Sequence, residues 1–176
     1  MRKVLYILGQ LTDQDADWLS RTGRRLRIGA DEVLIHAGIR MDQLFIVLDG
    51  ELQVRSRNGK DIARVGVGDI LGEMSFVDDS PTSASVAAIT NVQVLAIDRG
   101  AIKERLERDT AFAARFYKAI AIFLADRMRN TLAHFGYGDT VEDAGAFQPD
   151  ELDGNVLDNL HLAGASFERM LRKLIG

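Results

Sequence analysis

The stretch GEMSFVDDSPTSASV, residues 72–86, carries the densest chemistry in the chain. Gly72 opens a turn, Glu73 follows it, and a polar loop runs back into a β-branched strand. A glycine-led turn lets backbone N–H groups come close to a small anion. An acid just after it also suits the first turn of a short helix, where it faces the positive end of the helix dipole. The loop brings no cation of its own, because no Lys or Arg lies between Arg64 and Arg99. A bound anion would therefore rest on these N–H groups alone or take its counter-charge from another part of the chain.

Other chemistries find less support. The histidines, His36, His134 and His161, fall in separate regions, whereas a metal site in a small β-barrel needs clustered His and an acid on neighbouring strands. There is no cysteine, which excludes disulfides and thiolate metal sites. No Ser/His/Asp set or carboxylate pair stands at a useful spacing, so the expectation is a protein that is not an enzyme and carries no cofactor. The net charge of −4 argues against nucleic acid as a partner. No run approaches the roughly 18 apolar residues of a membrane span. The apolar run near the N-terminus is too short for a secretory signal, so a soluble, cytoplasmic protein is expected.

The elements that must position the loop follow from punctuation and period. Residues 1–28 read as helical, with Thr12 or Asp13 as cap, Ala16, Trp18 and Leu19 on the inner face and Gly23 as stop. Residues 29–98 read as strands. Gly29, Gly38, Gly50, Gly59, Gly66 and Gly68 separate EVLIHA, LFIVL, ELQVRSR and DIARV, and the NG at 58–59 is a strong hairpin signal. SASVAAI and VQVLAI read as a further pair turning at Thr90 and Asn91. Short strands with regular turns imply a sandwich or barrel. The pattern becomes helical again at RGAIKERLERD and along a long helix starting at Thr110, its expected N-cap, and stopping at Gly136. Phe112, Phe116, Ile120, Phe123 and Leu124 form one apolar stripe of this helix, and Tyr117, Ala121, Leu124, Met128 and Thr131 form another. One stripe can pack on the barrel and the other can meet a second copy. After Gly136 come an acidic linker and a final amphipathic segment with Leu157, Leu160, Phe167, Leu171 and Leu174 at helical spacing. Two regions are expected, 1–136 and 137–176.

From about Leu8 to Gly136 the chain resembles the cyclic nucleotide-binding domain of the bacterial catabolite-activator and redox-regulator class. The resemblance rests on EVLIHAGIRMDQLFIVLDGELQV, on VGVGDILGEMSFVDD, and on the long helix from Thr110. It implies a mainly β fold, an antiparallel double-stranded, jelly-roll-like β-roll with flanking helices and a long C-terminal helix that closes the pocket and dimerises. It implies that Gly72, Glu73, Met74 and Ser75 form the phosphate-binding cassette, with Glu73 accepting from the ribose 2′-hydroxyl. Thr82 and Ser83 would face the phosphate or base, and Thr131 the purine. Each has a plainer reading: Gly72 serves the turn, Glu73 caps the cassette helix, and Thr131 packs. Thr82 departs from the family pattern, in which an arginine after the proline neutralises the phosphate. Threonine offers one hydroxyl where arginine offers a charged fork, and Asp78 and Asp79 would add repulsion. Arg127 and Arg129 on the long helix are the candidates to supply the charge instead.

The tail after Gly136 reads as too short for the helix-turn-helix domain of the transcription regulators in this class. The expectation is a sensor module that binds cyclic AMP or a related nucleotide weakly. Its long helix and tail would signal to a protein effector, and it would form a homodimer. The alternative is a degenerate fold that binds no nucleotide and serves protein–protein contact.

Overall fold

The computed structural model describes residues 10–134. The acidic linker, the final amphipathic segment, the stop at Gly136, His161 and the division at residue 136 lie outside the described residues.

Helix α1 (Asp13–Thr22) starts from a capping box. Thr12 Oγ1 accepts from the Asp15 N–H at 3.2 Å, and Asp15 Oδ2 accepts from the Thr12 N–H at 2.9 Å. The strands follow as β1 (Arg24–Ile28), β2 (Val33–Ile35), β3 (Gln43–Asp49), β4 (Leu52–Ser56), β5 (Asp61–Val65), β6 (Ile70–Leu71), β7 (Ala84–Ala88) and β8 (Val92–Asp98). Short helix α2 (Glu73–Asp78) interrupts them, and α3 (Arg99–Arg108) and α4 (Thr110–His134) end the described chain. The strands form two antiparallel four-stranded sheets, ordered β1-β8-β3-β6 and β2-β7-β4-β5, which make the expected β-roll.

Three expectations need correction. Residues 24–28 are strand β1, not helix; α1 ends at Gly23, and every β1 residue pairs with β8, from Arg24 opposite Ala96 to Ile28 opposite Val92. SASVAAI and VQVLAI do not pair with each other. β7 lies between β2 and β4, while β8 lies between β1 and β3 in the other sheet. The polar residues that suggested a hairpin instead hold a crossing between sheets. Thr90 Oγ1 accepts from Glu51 N, and Asn91 Oδ1 accepts from Ala30 N. The crossing passes so close to Gly50 that a Cβ there would lie 2.4 Å from the Asn91 carbonyl oxygen. Third, the cap of α4 is Asp109 rather than Thr110, since Asp109 Oδ1 accepts from the Phe112 N–H at 2.9 Å. The NG hairpin forms as read, with β4 and β5 paired through Val54 and Ala63.

β3 and β8 are apolar on both faces because the fold has two cores. Leu44, Ile46, Leu48, Leu95 and Ile97 face a core shared with α1, α3 and α4. Phe45, Val47, Val92, Val94 and Ala96 face the interior of the roll. On α4, Phe112, Phe116, Ile120 and Phe123 are buried in the first core. Tyr117, Ala121, Met128 and Thr131 of the second stripe are exposed, and Leu124 lies at the border.

Asp15 joins the three helices. It is 1% exposed and receives Arg105 Nη2 at 2.6 Å and Arg115 Nε at 2.8 Å. Arg105 also stacks over Phe112 and Trp18, 3.9 and 4.6 Å from their ring centroids. Burial disfavours the Asp15 carboxylate, but hydrogen bonds from Arg115 and Thr12 outweigh it and hold the carboxyl below its ordinary range.

Candidate functional site

The chain enters the site through β6, which is only two residues long and pairs with β3. Gly72 then takes φ 88°, and a Cβ there would sit 3.0 Å from the Gln43 carbonyl oxygen. Both the backbone and the space require glycine. The turn starts α2 with Glu73 in its first turn, and Asp79 ends it in the left-handed region.

α2 and the start of β7 border a cavity of about 220 Å³ between the second sheet and α4. All seven residues expected at the site, Gly72, Glu73, Met74, Ser75, Thr82, Ser83 and Thr131, line this one cavity. Ile35, Val54, Ile62, Leu71 and Val86 supply its aliphatic wall. The periodicity of those strands marks them as half-buried without showing that they face a cavity.

Glu73 is 2% exposed, and Arg127 of α4 pairs with its carboxylate. Arg127 also lies over the Phe123 ring at 5.2 Å. Burial pushes the Glu73 carboxyl above its ordinary range. Arg127 pulls the other way without cancelling the shift, and nearby Asp69 adds to it. A carboxyl whose pKa rises on folding contributes stability that is present below its unfolded pKa and is lost as pH rises through the folded value. Glu73→Gln should remove that loss, so wild type should lose stability relative to the variant as pH rises out of the acid range. Urea melts over a pH series check this, and a pH-independent difference would contradict the raised pKa.

Thr82 is turned to another task. Its Oγ1 donates to the His36 carbonyl at 2.5 Å and accepts from the Ile39 N–H at 3.2 Å. Backbone bonds from Thr82 N to Ile39 O and from Gly38 N to Thr82 O complete the tie between the two loops. The hydroxyl expected to face a phosphate therefore closes a loop junction. Thr131 Oγ1 donates to the Arg127 carbonyl at 2.8 Å within α4, while the residue still borders the cavity. Of the two candidate cations, Arg127 reaches the cavity and Arg129 does not. Asp78 and Asp79 do not line it either. Asp79 is paired with Arg99 and Lys103, so α3 supplies the cations that the loop lacks in sequence. Among the described residues, no group of His, Cys, Asp and Glu could hold a metal ion.

This arrangement of roll, glycine-led cassette, buried acid and covering helix agrees with the comparison to known proteins. Residues 25–109 match the family described as cyclic nucleotide-binding domain. These residues belong to the cyclic nucleotide-binding domain family. A solved cyclic nucleotide-binding domain from Methylobacillus flagellatus KT superposes with a TM-score of 0.70 at 24% identity, covering 80% of this chain and 84% of that one. The cGMP-dependent protein kinase egl-4 of Caenorhabditis briggsae is 33% identical over 101 residues, which are 57% of this chain and 13% of the kinase. The CRP-like cAMP-activated global transcriptional regulator of Mycobacterium tuberculosis is 26% identical over 102 residues, 56% of this chain and 45% of the regulator. The chain thus spans a small part of the kinase and under half of the regulator. No helix among the described residues is long and apolar enough to cross a membrane.

Proposed function

We propose that this cyclic nucleotide-binding domain is a non-enzymatic sensor that holds a small nucleotide-class ligand in the cavity and reports its presence through α4. The ion pair between Glu73 and Arg127 carries this reading. It joins the cassette, where a ribose hydroxyl would bind, to the helix that covers the cavity. A ligand hydroxyl that donates to Glu73 and accepts from Arg127 bridges the cassette and α4, so occupancy and the position of α4 are linked. Cyclic AMP is expected to bind weakly, because Thr82 brings no charge to the phosphate. Calorimetry with cyclic AMP and cyclic GMP, paired with hydrogen exchange along α4, tests both halves. Binding without any change in α4 protection would leave a ligand site but no sensor.

The interaction-module alternative draws on a different observation, the exposed stripe of α4. Tyr117 is 49% exposed and Met128 is 65% exposed, on a helix whose other stripe already fills the core. An apolar face of this kind fits a homodimer seam, with a protein effector as the further partner. Met128→Glu is expected to halve the mass measured by light scattering at micromolar concentration while leaving the circular-dichroism spectrum of the folded chain unchanged. A mass of one chain in wild type would remove the dimer from the proposal.

A further inference from the structure

The charged groups that reach the cavity are few. Among the described residues lining it, Glu73 and Arg127 are the ones that carry charge, and they pair with each other. Thr82, which stands where the family pattern has its arginine, adds no cation, and its hydroxyl is committed to His36 O and Ile39 N. Arg99 and Lys103 are engaged with Asp79 and do not line the cavity. α2 has six residues, and the N–H groups of its first turn are donors with a partial charge, not a cation. The rest of the wall is largely aliphatic.

We infer that the cavity prefers an uncharged nucleoside, a flat ring carrying sugar hydroxyls, over the corresponding cyclic nucleotide. This rests on the reading of the cavity as a ligand site. A hydroxyl can donate to a Glu73 oxygen and accept from an Arg127 N–H from beside the pair, and it brings no charge of its own to upset the balance. The base can lie against Ile35, Val54, Ile62 and Val86. A cyclic phosphate brings a second anion to a cavity whose described lining holds one cation, Arg127. If the phosphate takes Arg127, Glu73 remains a buried carboxylate without its partner and must take up a proton. If Glu73 keeps Arg127, the phosphate finds neutral donors at Ser75, Ser83 and the cassette backbone but no further cation among the described lining residues. A cavity of about 220 Å³ is also small for a ligand site, which favours one nucleoside over any dinucleotide.

Calorimetry on the full chain with adenosine, guanosine, cyclic AMP and cyclic GMP tests this. It is run at neutral pH in two buffers of different ionisation enthalpy. At least one nucleoside should bind roughly tenfold or more tighter than its own cyclic monophosphate, a difference of about 1.4 kcal/mol or more. Its heat should be the same in both buffers, since no proton moves. Any cyclic nucleotide binding should instead show proton uptake through a buffer-dependent heat. The 2′-deoxynucleoside should lose most of the affinity. A cyclic monophosphate that binds as tightly as its nucleoside would overturn the inference and leave the sensor reading intact. Silence from all four compounds would overturn both.

Discussion

Asp15→Ala should cost about 3 kcal/mol of stability, the low end for breaking a buried charge pair, because Arg105 and Arg115 keep some solvent contact. For a chain of this size that corresponds to a fall in melting temperature of roughly 6–12 °C. The carboxylate is 1% exposed and receives guanidinium groups from α3 and α4 while closing the capping box of α1. Its removal leaves Arg105, stacked over Trp18 and Phe112, with the longer 3.8 Å contact to Asp109 and with Arg115 as a neighbouring cation. The pH dependence separates this from simple loss of packing. Folding lowers the Asp15 pKa, so its contribution is present above the ordinary aspartate range and is lost as pH falls through the lowered value. Wild type and variant should therefore converge in acid. A difference that persisted unchanged at low pH would assign the effect to lost contacts instead of charge. Glu73 has the opposite sign, so its contribution declines as pH rises, and the two carboxyls bracket the stability optimum from opposite sides.

The parts of the fold legible in sequence are those set by local chemistry. Thr12 and Asp15 stand at cap spacing, NG makes the β4–β5 hairpin, and the stripe of Phe112, Phe116, Ile120 and Phe123 finds the core face of α4. The misread parts depend on partners distant in sequence. SASVAAI and VQVLAI look like a hairpin because each alternates and a polar turn divides them, yet β3 lies beside β8 and β4 beside β7. Nothing in a local window distinguishes a turn within one sheet from a crossing between two. β1 hides for a similar reason: RRLRI has three arginines, and only pairing with β8 makes it a strand. The family pattern names seven residues that all border one cavity. The pattern could not show which groups would be free to act there. Arg127 and Thr131 are four apart, hence on one face of α4, and that spacing was the available sign that both border the cavity. That Arg127 would pair with Glu73, and that Thr82 would bond to His36 and Ile39, depends on contacts across tens of residues.

Thr82→Arg is expected to reverse the ligand preference, tightening cyclic AMP by roughly tenfold or more while leaving adenosine nearly unchanged. The added guanidinium brings a second cation for the second anion, so the phosphate no longer competes with Glu73 for Arg127. Ser83 and Ala84 beside it are small, and Thr82 already lines the cavity. The substitution also removes the hydroxyl bonds to His36 O and Ile39 N, at about 1–2 kcal/mol of stability, while the backbone bonds to Gly38 and Ile39 remain to hold the junction. The variant should therefore melt lower than wild type when empty and gain more from cyclic AMP when loaded. Glu73→Gln offers an independent route to the same result if the arginine variant does not fold. It removes one anion instead of adding a cation, keeps an oxygen that can accept from a ribose hydroxyl, and frees Arg127 for the phosphate. Each single change should strengthen cyclic AMP binding, and each should abolish the proton uptake that accompanies it in wild type. Together they should give less than the sum, because once the charges match, a further positive excess has no unpaired partner to satisfy. Full additivity would mean that the two positions act on the phosphate separately, and the Glu73–Arg127 pair would then not be what limits cyclic nucleotide binding.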